Sequence, residues 1–344
     1  MIELIFLNNI YKMPSKISKW FNNRYHGIVF GRTRIGEFLN TIYSLKLFFK
    51  YTFLVGRLPE KDNHRAYLIK QYHIIEKGLA MPLPKENFGI PKIKLLLNKL
   101  KIYEAKYGFD EEISGPVRKC LKEYLVSNPS LDKKDGHLKE QIQKLILSYN
   151  CEESEGGTKI YNSRDLEIST DIDFENFLKS RSSVRNFSKD PLKIEDIRRA
   201  VNLARHAPSV CNRQNWNLHF YGEDKIRTEL LNLQHGNGGF TESIQGVFIV
   251  TSNIKGFTKM EQNQIFVDGG LISMNLVLSL HHLRIGSCCL NTCFPYTREK
   301  KIKKLGGIPE SERLIMMIGV GYWKEEFKVA YSKKKEVDEI LKIH

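Results

Sequence analysis

The sequence predicts an α+β protein in two parts. Residues 1–160 form a basic, mainly helical N-terminal extension, and residues 161–344 form an α+β domain with a central mixed sheet flanked by helices. Three observations support this prediction. Apolar residues recur every three or four positions in the first part, β-like runs alternate with helical segments in the second, and 344 residues exceed the usual size of one domain.

The N-terminal part reads as helices joined by short links. Helical periodicity predicts helices over residues 63–77, 92–107, 116–126 and 137–148. The stretch 39–55 is the most apolar in this part, but Lys46 and Lys50 interrupt it and it is too short to span a bilayer. It fits either a helix that packs on the core or one that lies at a membrane surface. A change to glycine, serine and acidic residues places the domain boundary between Tyr149 and Ser169.

The C-terminal part mixes both kinds of element. We expect helices over residues 171–179, 193–206 and 264–283, and strands over 218–221, 247–251, 286–290 and 314–322. The helix 264–283 is apolar nearly all round, so it should be buried, and its one charge, Asp268, needs a partner. Gly269 and Gly270 predict that another element packs closely against it. The sheet should contain four or five strands.

Composition limits the possible functions. The formal charge is +15, and the first 150 residues carry 26 Lys and Arg against 14 Asp and Glu, or +12. Such an excess fits a solvated surface, an anionic membrane or nucleic acid, but no nucleic-acid-binding motif accompanies it. Six cysteines form no CxxC pair, so we expect reduced thiols and a cytoplasmic location. No metal site is predicted.

The segment 181–216 carries the strongest functional signal. It opens with Arg181, Ser182, Ser183 and Arg185, and in an extended backbone alternate side chains point to the same side. Two guanidinium groups and a hydroxyl on one side suit a phosphate or an electron-rich ring edge. We therefore expect this segment to bind an anion.

Four blocks together resemble the FMN-dependent nitroreductase family. They are Arg181-Ser-Ser-Val-Arg-Asn-Phe187, Ala207-Pro-Ser-x-x-Asn-x-Gln-x-Trp216, Arg284-Ile-Gly-Ser-Cys288 and Ile318-Gly-Val-Gly-Tyr322. Their order and spacing agree with the family from residue 171 to the C-terminus, and the coincidence of four blocks is specific where one would be weak. Asn215 departs from the family, which usually has a proline before the tryptophan, and this predicts a looser turn.

The resemblance implies a homodimer with FMN at the subunit interface and NADH or NADPH as hydride donor. It implies that Arg181 and Ser183 hold the flavin phosphate, that Ser182 also binds the cofactor, and that Arg185 reaches the ring, where a fixed cation stabilises reduced flavin. Further implied contacts are Pro208, Ser209, Asn212 and Gln214 from the partner subunit, Leu290 and Asn291 over the flavin face, and Lys334, or its neighbours Lys333 and Lys335, at the phosphate. Cys211 either lines the substrate pocket or is a small buried apolar residue.

The predicted activity is a two-step transfer of hydride through flavin N5 to an electron-poor small molecule, with no catalytic side chain. Other reactions on the same fold remain alternatives: a dehydrogenase, a dehalogenase or a flavin-cleaving enzyme. A non-catalytic protein that its basic domain recruits to a membrane or an assembly is a further alternative.

Overall fold

The computed structural model describes residues 34–53, 58–81, 84–158, 173–327, 329 and 336–344. Its N-terminal part is helical. The helices are α1 (Arg34–Tyr51), α2 (Lys61–Leu79), α3 (Ile90–Tyr107), α4 (Glu111–Ser127) and α5 (Leu131–Leu147). The four helices predicted from periodicity are confirmed, each with an earlier start than predicted.

Local signals explain where these helices begin and end. At the start of α2, the Asn63 side chain accepts a hydrogen bond from the backbone N–H of Glu60 at 3.2 Å, which satisfies a free N–H at the helix end. Helix α3 lies between two glycines with positive φ, Gly89 at 70° and Gly108 at 82°. Helices α2 to α5 share one apolar core that includes Ile75 and Tyr124.

The C-terminal part alternates helices and strands. The helices are α6 (Phe174–Ser180), α7 (Ile194–Ala204), α8 (Asp224–Asn232), α9 (Gln264–His282), α10 (Tyr296–Gly306) and α11 (Val337–Ile340). The strands are β1 (Trp216–Tyr221), β2 (Gly246–Asn253), β3 (Ile285–Leu290) and β4 (Glu312–Tyr322). Helices α8 and α10 were not predicted, because their sequences are polar and only a few apolar side chains, such as Leu230 and Ile302, face the core.

The four strands form one sheet in the order β1-β2-β4-β3. All three strand pairs are antiparallel, so these four strands do not form the mixed arrangement that we predicted. Parallel pairing occurs beside β3, at an isolated bridge between Ser183 and Ser287. One apolar cluster contains residues of α7, α9 and the sheet, and a second contains residues of α8, α10 and the sheet. The α+β fold class is confirmed.

The N-terminal helices contact the C-terminal part directly. From α1, Leu47 and Phe48 are buried in a cluster with Ile254 and Phe257, and from α2 the Nδ2 of Asn63 donates to the Lys255 carbonyl at 2.6 Å. These contacts lie beside the end of β2, so the helical part is packed against the sheet domain at that end.

Helix α1 also carries apolar side chains that face outward. Phe38, Ile42 and Phe49 are exposed, and Lys46 is exposed on the same helix. Lys50 forms a 2.7 Å ion pair with Glu310. Contact of this helix with a membrane surface stays a prediction. In the described ranges, no helix combines the length and the apolar character that a membrane span requires.

Candidate functional site

The segment that contains Arg181, Ser182, Ser183 and Arg185 lies along the free edge of β3. The backbone N–H of Val184 donates to the Ser287 carbonyl at 2.9 Å, and Ser183 forms the parallel bridge with Ser287. Because Val184 is buried, the alternation of an extended chain directs Ser183 and Arg185 away from the core. We call residues 181–185 the cationic arm.

Two glycines allow the residues after this arm to pack on the sheet. A Cβ atom added at Gly321 would lie 2.6 Å from the Cβ of Phe187, and one added at Gly286 would lie 3.0 Å from the Cβ of Val184. The backbone N–H of Ser188 donates to the Tyr322 carbonyl at 2.9 Å. The absence of a side chain at these two positions therefore lets the chain around Phe187 contact β3 and β4 closely.

In the described part of the chain, no neighbouring acid neutralises the charges of the cationic arm. Within the described ranges, neither Arg181 nor Arg185 forms an ion pair with a carboxylate, and Arg185 Nη1 makes one long contact of 3.5 Å with the Ser183 carbonyl. Burial lowers the pKa of His281, and the positive charge of Arg181 lowers it further. His281 Nε2 lies 2.8 Å from Ser180 Oγ. Two guanidinium groups without carboxylate partners in the described part of the chain attract anions.

His281 was not predicted as part of the site. It precedes β3 and comes close to Ser180 and the charge of Arg181 only after the chain has folded, and nothing in its sequence context marks it. Leu290 and Asn291, at the end of β3, were predicted. Leu290 is buried in the sheet core, whereas the Asn291 side chain accepts a 3.0 Å hydrogen bond from the Cys293 N–H and its carbonyl accepts one of 3.1 Å from Gln234.

The second predicted group, Pro208, Ser209, Asn212 and Gln214, forms a tight turn before β1, which we call the polar turn (residues 208–214). The Gln214 N–H donates to Ser209 Oγ at 3.0 Å, and the Asn212 N–H donates to the Ser209 carbonyl at 3.0 Å. Cys211, Asn212 and Gln214 all have φ values near 50°. Non-glycine residues in this left-handed region are strained, and such strain persists only where surrounding contacts hold it.

Those contacts come from neighbouring elements. Both carboxylate oxygens of Asp268 in α9 accept from the Val210 N–H at 3.2 Å, which is the partner that this buried charge required. The buried Arg213 forms a 2.9 Å ion pair with Glu261. Asn215, expected to loosen the turn, instead donates to the Gly256 carbonyl at 3.2 Å and accepts from the Asn253 N–H at 2.7 Å. Cys211 is half-buried.

Within one chain, the cationic arm and the polar turn lie at diagonally opposite corners of the sheet. They flank β3 and β1, the two outer strands, so three strand spacings, about 14 Å, separate them across the sheet. Along the strands, Ser287 pairs with Val320, and Trp216 aligns through Ser252 with Arg313. The two positions are six residues apart on β2, a further offset of about 20 Å. One small molecule cannot touch both sets in a single chain. Lys334, with Lys333 and Lys335, lies outside the described residues.

Comparison with known proteins identifies the C-terminal part. Residues 178–238 and 247–322 match the model of the nitroreductase family. A protein of Archaeoglobus fulgidus, named "Putative NADH dehydrogenase/NAD(P)H nitroreductase", is 27% identical over 148 residues, which cover 43% of this chain and 83% of the relative.

Solved structures of similar proteins align with the same part. A nitroreductase family protein from Streptococcus pneumoniae is 22% identical, with a TM-score of 0.42, and the alignment covers 50% of this chain and 100% of that one. A nitroreductase-type protein from Desulfovibrio desulfuricans, crystallised with FMN, is 17% identical, with a TM-score of 0.44, over 50% and 96% of the two chains. The family match confirms the resemblance that the four sequence blocks predicted, and the C-terminal half of the chain contains a region that matches the nitroreductase family.

Proposed function

We propose that this protein is an FMN-dependent oxidoreductase that uses NADH or NADPH to reduce an electron-poor small molecule. The observation that carries the proposal is the cationic arm, two guanidinium groups without carboxylate partners in the described ranges, inside the segment that matches the nitroreductase family. The names of similar proteins support these cofactors, because the name of one relative includes the term NAD(P)H nitroreductase and the name of another describes a complex with FMN.

The residues of the cationic arm fit the two ends of FMN. A phosphate needs charge-assisted donors, and the Arg181 guanidinium with the Ser183 hydroxyl can supply them. Within the described ranges the Ser183 hydroxyl has no hydrogen-bond partner, so it is available to a ligand. We infer that this end of the arm holds the phosphate.

Arg185 has a different role in this proposal. Arg185 lies two residues after Ser183 and is exposed. We place its guanidinium beside the pyrimidine edge of the flavin ring. Bound FMN would supply hydride acceptance at N5 from NADH or NADPH and transfer to the second substrate. A fixed cation at the ring edge stabilises the negative charge that reduction creates, so Arg185 would favour reduction by electrostatics.

The two separated corners support a homodimer. If a second copy brings its polar turn to the cationic arm of the first, one site contains both sets of predicted contacts. Helix α9, which holds the polar turn through Asp268, presents Phe266, Val267, Leu271 and Met274 at its surface with exposures from 38% to 51%. An apolar face of this kind on a long helix is suited to burial against a second copy.

The remaining assignments are also proposals. We place residues 1–160 as a separate extension to the nitroreductase domain of residues 161–344, and the protein in the cytoplasm, where its six free cysteines would stay reduced. We assign no catalytic side chain, because the arrangement contributes binding, orientation and charge.

Flavin titration and reduction test the proposal. Purified protein should bind FMN, and the bound flavin should lose its yellow colour when NADH or NADPH is added without oxygen. Arg181→Ala should weaken FMN binding by about tenfold to a hundredfold, since a hydrogen bond to a charged group is worth about 1.5 to 3 kcal/mol. Arg205→Ala, which removes an exposed arginine at the end of α7, is the matched control and should bind FMN normally. Equal affinity of the two variants would show that Arg181 does not hold the phosphate.

A further inference from the structure

A cavity of about 910 Å³ lies between the N-terminal helices and the polar turn. Its walls include Arg65 and Tyr72 of α2, Glu111 of α4, Glu155 of the segment after α5, and Gln214 and Trp216 at the start of β1. Ligand sites commonly occupy clefts of this size at the junction of two parts of a protein. Within one chain, no residue of the cationic arm lines this cavity, whereas Gln214 of the polar turn does.

The cavity is acidic although the chain is strongly basic. Five carboxylates line it: Asp62, Glu111, Glu112, Glu153 and Glu155. The two guanidinium groups in its wall already form ion pairs: Arg65 with Asp110 and Glu112, and Arg213 with Glu261. Their charges are compensated, and the formal charge of the lining is −3. A cleft of this sign attracts cations.

Two of these carboxylates are free to accept a ligand. Glu153 and Glu155 are exposed, and within the described ranges neither forms an ion pair or a side-chain hydrogen bond. They precede the Gly156–Gly157 pair, where the chain passes over α4. Both therefore present unneutralised oxygens at the rim of the cavity.

Tyr72 provides an independent indication of a ligand. Its side chain lines the cavity and is only 8% exposed, yet its hydroxyl has no hydrogen-bond partner within the described ranges. Burial raises the pKa of this phenol, and the negative charges of Glu76 and Glu155 act in the same direction. A neutral, unpartnered phenol deep in a cleft is a donor and acceptor for a bound molecule.

We propose that this cavity binds a small organic cation with an apolar body. The ammonium group pairs with Glu153 and Glu155 at the rim, the apolar body packs on Tyr72 and Trp216, and a polar group of the ligand pairs with the Tyr72 hydroxyl. The ligand also contacts Gln214, which belongs to the polar turn. Binding here requires neither FMN nor a second copy of the chain.

Calorimetry with the full chain tests the proposal, with phenethylamine as the cationic probe and phenethyl alcohol as its uncharged match. We expect saturable binding of the amine that weakens as salt rises, and much weaker binding of the alcohol. The double variant Glu153→Gln/Glu155→Gln should weaken amine binding about tenfold, and Tyr72→Phe about threefold to fivefold. Glu140→Gln, an exposed change on α5 away from the cavity, should have no effect.

Three results would overturn the proposal. They are no saturable binding of the amine at millimolar concentration, equal binding of amine and alcohol, and equal binding by the cavity variants and the Glu140→Gln control. Because the titration is read without FMN, failure of the flavin proposal would leave these outcomes unchanged.

Discussion

Replacing Gly321 by alanine tests whether β4 positions the chain that carries the cationic arm. The new Cβ would lie 2.6 Å from Phe187 Cβ and 2.8 Å from its Cγ, well inside the ordinary carbon contact distance of about 3.5 to 4.0 Å. Phe187 cannot retreat easily, because it is 2% exposed and its backbone bridges Trp323. Overpacking of this kind costs about 1–3 kcal/mol, so the free energy of unfolding should fall by that amount.

Urea unfolding of the full chain measures this change, and FMN titration measures its effect on the arm. Gly238→Ala is the control, because nothing lies within 4 Å of its new Cβ and its φ is not positive. This variant should stay within about 0.5 kcal/mol of the parent. FMN affinity should fall only in Gly321→Ala, since Arg185 is two residues from the displaced Phe187. If both variants unfold at the same urea concentration, β4 does not hold the arm in the way described.

Three further predictions concern the surroundings of the site. Asp268→Ala leaves the Val210 N–H without its acceptor and should lower the free energy of urea unfolding by about 1–3 kcal/mol, whereas Asp268→Asn keeps an acceptor and should cost less. The folded pKa of His281 is below its usual 6.5, so the unfolded chain takes up this proton more readily and the free energy of unfolding should fall as the pH drops below about 6.5. In Arg181→Ala the pKa of His281, measured by NMR, should rise toward its usual value. An unchanged pKa would show that Arg181 does not lie beside His281. If α1 contacts a membrane surface, Lys46→Glu should reduce sedimentation of the protein with anionic vesicles, and unchanged sedimentation would exclude this contact.

Elements with strong periodicity could be predicted from the sequence, and polar elements could not. Helix α9 and strand β4 are apolar over most of their length, so their pattern alone indicated burial. Helices α8 and α10 are held by tertiary contacts of a few apolar side chains, which leave a weak signal in the sequence. A Cβ atom added at Gly269 would lie 2.6 Å from the Ile315 side chain, so this glycine does allow close packing. Gly270 has no neighbour within 4 Å of its added Cβ. The sequence alone could not show which of the two glycines makes the close contact.

The candidate site shows the same division between local and long-range information. The cationic arm and the polar turn are each a continuous stretch of sequence, so each could be predicted from its motif. Their placement at opposite corners of the sheet depends on strand order, which the motifs do not encode. The acidic cavity brings together α2, α4 and the start of β1, so no local pattern could have revealed it.

A mixed-subunit experiment tests most directly whether each flavin is held by two copies of the chain. One variant carries Arg181→Ala; the other carries Gln214→Pro, which removes the N–H that Ser209 accepts and cannot adopt the φ of 52° found there. Each variant alone should bind FMN poorly, whereas a mixed dimer combines one intact arm with one intact turn and should bind one FMN with parental affinity. A mixture that binds no more FMN than the average of the two separate variants would contradict the shared site.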